Sequence, residues 1–63
     1  MTTKKFVYWI DKETWIGYLE EFPDYITQGK SYDELKTNLL DLYKELTSGL
    51  IPNVRRVDEL VIA

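Results

Sequence analysis

The 63-residue chain has no cysteine and no histidine. Without cysteine there is no disulfide, no thiolate nucleophile and none of the usual Cys/His zinc sites. Without histidine the commonest general base is missing. Long apolar runs are missing as well. The longest, Phe6 to Ile10, falls far short of the roughly 20 residues a membrane-spanning helix needs. The start, Met1-Thr2-Thr3-Lys4-Lys5, has too short an apolar stretch behind it for a secretory signal. The reading is a soluble, cytoplasmic, acidic protein, with 8 Lys+Arg against 11 Asp+Glu and a net charge of −3.

What is present is enough for one small domain, spanning residues 1–63. The chain is 44% hydrophobic and 14% aromatic, so a small core is possible. At this length a single core buries little apolar surface. Self-association or a permanent partner would add the missing burial.

The first half reads as strands. Lys4 to Asp11 is β-branched and aromatic. Asp11-Lys12-Glu13 is a polar connection short enough for a tight hairpin. Thr14 to Phe22 follows, with Trp15, Gly17 and Leu19 on one face and Ile16 and Tyr18 on the other. Pro23-Asp24 breaks that strand. Tyr25 to Gln28 is a short third strand ending at Gly29. Within the second strand, Gly17 reads as a bulge or as room for a ring from a neighbouring strand; the alternative is close approach of another backbone.

The helix is the clearest element. Ser31-Tyr32-Asp33-Glu34 has the capping-box pattern, with Ser31 as N-cap. Asp33 and Glu34 also suit the positive end of the helix dipole. Leu35, Leu39, Leu42 and Leu46 form the apolar stripe, with Tyr32 and Tyr43 on its shoulder. Gly49 is the natural left-handed residue past the end, and Pro52 prevents re-entry into helix. Leu40 lies off the stripe, either an incidental exposed leucine or part of a contact surface.

Arg55 to Ile62 reads as a fourth strand, through Val57, Leu60, Val61 and Ile62, although its alternation is imperfect. The expected class is α+β, a β-β-β-α-β domain in which one helix covers one face of a twisted sheet. Both faces of the sheet carry apolar side chains. Phe6, Tyr8 and Ile10 point one way, Val7 and Trp9 the other. Whichever set faces the helix, the other faces water or a partner.

Little here suggests catalysis. Asp11, Glu13, Glu20, Glu21 and Asp24 are the plausible acid groups, and they read more simply as a solvated acidic rim than as a metal site. No phosphate loop or nucleophile motif is present. A sheet bearing Tyr8, Trp9, Trp15 and Tyr18 has rings on which bases could stack, and Lys4, Lys5, Arg55 and Arg56 would come together if the last strand paired beside the first. Both halves of the chain are nevertheless net negative. That argues against nucleic-acid binding by the lone chain and for a basic protein partner.

The stretches Lys5-Phe6-Val7-Tyr8-Trp9, Trp15-Ile16-Gly17-Tyr18-Leu19-Glu20-Glu21-Phe22-Pro23-Asp24-Tyr25 and Thr27-Gln28-Gly29-Lys30-Ser31-Tyr32-Asp33-Glu34-Leu35 resemble the HicB antitoxin family of type II toxin–antitoxin systems. The hallmark is a strand ending in Phe-Pro-Asp, then Thr-Gln-Gly and an acidic-capped helix. The resemblance implies a fold like a reduced ribonuclease H unit. Phe6 to Ile10 stand where the first catalytic Asp of that nuclease would be, so nuclease activity is not implied. It also implies a partner: HicA, a small basic mRNA-cleaving toxin with a fold like double-stranded-RNA-binding domains. Many members add a C-terminal DNA-binding domain; this chain stops at Ala63 and reads as a short form.

On this reading Trp9, Trp15 and Tyr18 are the apolar anchors of a partner-binding surface, and Glu20, Glu21 and Asp24 meet basic groups on the toxin. No catalytic residue, metal or cofactor is assigned. The competing expectation is a homo-oligomer, a dimer whose exposed sheet face meets its own copy across a twofold axis.

Overall fold

A computed structural model describes residues 2–62. Three strands and one helix follow in chain order: β1 (Phe6–Asp11), β2 (Thr14–Leu19), β3 (Ile26–Gly29) and α1 (Tyr32–Thr47). The strands form one antiparallel sheet in the order β1-β2-β3. The chain is thus α+β, with α1 lying on one face of the sheet.

The β1–β2 hairpin is tighter than its polar connection suggests. Asp11 pairs with Thr14, which leaves Lys12 and Glu13 as a two-residue turn. Lys12 takes the left-handed conformation at φ 51, which a hairpin of this length demands and a lysine adopts at some cost.

The second strand ends sooner than its sequence suggests. Thr14 to Phe22 is not one strand: the Phe22 amide donates to the Leu19 carbonyl at 2.9 Å, closing a turn through Glu20 and Glu21. Strict alternation from Leu19 would have sent Phe22 to the opposite face. The turn resets the phase, and Phe22 becomes one of the most buried side chains, at 1% exposure. Together with Leu19, Leu35, Leu39 and Leu46 it forms the core, flanked by Phe6, Trp15, Tyr25, Leu42, Tyr43 and Val54.

The helix begins at Ser31, whose hydroxyl accepts from the Glu34 amide at 3.1 Å. The Glu34 carboxylate reaches back one residue further than in the standard box, to the Lys30 amide at 3.2 Å. Past the last turn Gly49 sits at φ 84, a left-handed stop. The helix lies close to the sheet because of Gly29. A Cβ there would be 2.6 Å from the Leu35 amide nitrogen and 3.0 Å from the Glu34 carbonyl carbon. Asn38 adds a tie by donating to the Gln28 carbonyl at 2.6 Å. Gly17 is similarly confined: a Cβ would lie 2.7 Å from the Val7 carbonyl oxygen and 3.2 Å from the Tyr8 Cβ. Its strand is regular, without a bulge, and it is backbone approach that requires glycine there.

The fourth strand is not formed. Arg55–Ile62 forms no regular element and pairs with no strand among the described residues. Its first part straps the end of the core. The Arg55 amide donates to the Tyr25 hydroxyl at 3.3 Å, Arg56 lies over the Phe22 ring, and the Val57 amide donates to the Glu21 carbonyl at 3.0 Å. Those bonds hold the segment at the β2–β3 corner, away from a sheet edge. Beyond Val57 it makes no described hydrogen bond with the sheet.

Candidate partner-binding face

Strand pairing sets which side chains share a face. In β1, Phe6 packs on the core, so Val7 and Trp9 point away from α1. In β2, Trp15, Gly17 and Leu19 face the helix, and Ile16 and Tyr18 point away. In β3 the register opposes Gln28 to Ile16 and Ile26 to Tyr18. Val7 opposes Tyr18 and Trp9 opposes Ile16 across the hairpin. The outer face therefore carries Val7, Trp9, Ile16, Tyr18 and Ile26 side by side, with α1 on the other side of the sheet. Trp9 is 41% exposed and Ile26 61%. Trp9 and Tyr18 meet edge to face, their ring centroids 6.2 Å apart, a geometry that favours both rings.

Of the three aromatic anchors expected from sequence, the structure brings two together. Trp15 lies on the other side of the sheet, stacked on Tyr8 at 5.8 Å and close to Tyr32 at 5.7 Å. It is half-buried against the core. The strand's alternation already separates Trp15 from Tyr18; which side the helix takes was the missing information. Ile26 is not legible from sequence as part of this face, because a four-residue strand has too little alternation to read; only its register against Tyr18 reveals its face.

The three carboxylates also divide. Glu21 pairs with Lys4 at 3.5 Å, and Asp24 with Arg55 at 3.3 Å. Glu20 is exposed beyond the end of β2 and forms no ion pair among the described residues. It is the acid most available to an external cation. The same two pairs engage part of the basic set, Lys4 and Arg55, that a fourth strand beside β1 would have gathered. No three described carboxylates converge on a point where a metal ion could sit, and no described helix is long and apolar enough to cross a membrane.

Compared with protein-family models, with curated proteins and with solved structures, the chain matches none.

Proposed function

We propose that this chain is a HicB-like antitoxin module, which binds a small basic mRNA-cleaving toxin of the HicA type and covers its RNA-binding and catalytic face. One observation carries the reading: a sheet face bearing Trp9, Tyr18, Val7, Ile16 and Ile26 that α1 leaves open. Aromatic side chains of this kind are common anchors of protein interfaces. The acidic balance of the chain suits a basic partner and speeds encounter with it. Inhibition would be steric, without chemistry on the antitoxin's side. The three antiparallel strands followed by a helix are compatible with a reduced ribonuclease H unit lacking its later strand. The proposed site is cytoplasmic, where the toxin's messenger RNA is found.

The test is co-expression with the small basic protein encoded beside this chain. Growth should be arrested by the neighbour alone and restored by the pair, and the two should co-purify. A harmless neighbour, or one that does not co-purify, defeats the reading. A second reading is a homo-oligomeric interaction module without a toxin, in which this exposed face, with Ile26 61% exposed, meets its own copy across a twofold axis.

A further inference from the structure

The sheet has two edges, and they are treated differently. At β3, the helix packs close and Asn38 takes up the Gln28 carbonyl. At β1, no strand among the described residues pairs on the outer side. The Glu20 amide donates to the Lys5 carbonyl at 3.0 Å, so Lys5 is a bonded position of the β1–β2 ladder. By the alternation of antiparallel pairing, Phe6, Tyr8 and Ile10 then direct their amide and carbonyl groups to the open edge. An unpaired edge of this kind is a template for another strand.

Beside the Phe6 end of that edge lies a groove. Helix α1 packs over β2 and β3, and its backbone does not approach β1. The space left on the helix side, ≈ 370 Å³, is lined by Phe6, Leu39, Leu40 and Tyr43, together with Lys4 and Lys36. Leu40, which lies off the core stripe and is largely exposed, is explained as a wall of this groove.

The same chain carries a segment with complementary features. Leu60, Val61 and Ile62 belong to no regular element, pair with no described strand and are 83–87% exposed, and Asp58-Glu59 precede them. Laid along β1 with the acids toward Lys4 and Lys36, the segment runs parallel to β1. Leu60 and Ile62 then turn to the helix side beside Phe6 and Tyr8, and Val61 falls beside Val7 on the outer side.

The segment does not serve its own edge well. Val57 is held at Glu21, on the β2 side of β1. Crossing to the far side of β1 spans two strand spacings, roughly 10 Å, which uses about three residues. Asp58 to Leu60 would be spent on the crossing, and Leu60 could not reach the groove. A second copy has no such constraint.

We propose that residues 58–62 of one copy add as a strand to the open β1 edge of a second copy, reciprocally, so that the chain is a twofold strand-exchanged dimer. Each copy gives one strand and receives one, which closes the assembly. The dimer uses the edge and the groove, and leaves Trp9 and Tyr18 free.

The test uses the full chain. Sedimentation velocity should show a dimer. Leu60→Asp places a charge in the groove beside Phe6, and Ile62→Asp places one beside Tyr8; both residues are exposed in the lone chain, so neither change disturbs its fold. Each should weaken the dimer by about tenfold or more, with the far-ultraviolet circular dichroism of the fold retained. Trp9→Glu should leave the dimer intact while abolishing binding of the basic partner, so the two readings fail separately. Because the chain has no cysteine, a mixture of Tyr8→Cys and Ile62→Cys chains should oxidise to a covalent heterodimer. A monomer at millimolar concentration overturns the proposal. So does a dimer that survives Leu60→Asp and Ile62→Asp but dissociates with Trp9→Glu, or a chain carrying both Tyr8→Cys and Ile62→Cys that closes its disulfide within one molecule.

Discussion

Trp9 and Tyr18 stand edge to face, 6.2 Å apart, on the side of the sheet opposite α1. They sit on neighbouring strands, one diagonal step apart, so the pair depends on hairpin register rather than on the helix. Fold and the proposed partner binding are therefore separable at these positions.

Trp9→Ala and Tyr18→Ala should each weaken binding of the basic partner by about 2 kcal/mol or more. Thermal unfolding of the free chain should change little, since neither ring belongs to the core. Titration calorimetry and a melting curve on the same variants check both halves. Trp15→Ala should do the reverse, lowering stability by about 3 kcal/mol through loss of its packing on the core.

Gly29→Ala should destabilise the fold by about 1–3 kcal/mol. The atoms a Cβ would meet are backbone atoms of Glu34 and Leu35, and these cannot swing aside as a side-chain tip can. A lower urea midpoint with unchanged slope is the expected result. Gly49→Ala should also destabilise, for a different reason. Nothing crowds its Cβ position, but φ 84 is strained for alanine, at a cost of roughly 1 kcal/mol.

At the hairpin, Lys12→Gly should stabilise the chain by a few tenths to about 1 kcal/mol, because φ 51 is no strain for glycine. Ser31→Ala should cost about 1 kcal/mol by removing the hydroxyl that caps the Glu34 amide. Chemical denaturation of the two variants side by side tests the signs.

Among the acids, Glu20→Lys should slow association with a basic partner about tenfold at low salt, with the difference shrinking as salt is added. Asp24→Asn should do much less, because Arg55 already occupies Asp24. Its effect on stability should stay within about 1 kcal/mol, as the pair is exposed. Stopped-flow association at two ionic strengths separates them.

Local signals alone determined the helix and the two faces of the hairpin. Ser31, Glu34 and Gly49 bound the helix because caps act within a few residues. The alternation of Trp15, Ile16, Gly17, Tyr18 and Leu19 divided β2 into its two faces because a strand's period is two. Tertiary structure decided which face became the candidate site. Nothing near Trp9 or Trp15 in the chain says where α1 will settle, and its position sends one tryptophan to the core and leaves the other open. Two further outcomes needed three dimensions. The turn through Glu20 and Glu21 reversed the phase of Phe22, and Arg55–Val57 fastened to Tyr25 and Glu21 instead of to a strand. The apolar content of the last segment suits it to a sheet, but pairing also requires a reachable edge, and reach is a property of the folded chain.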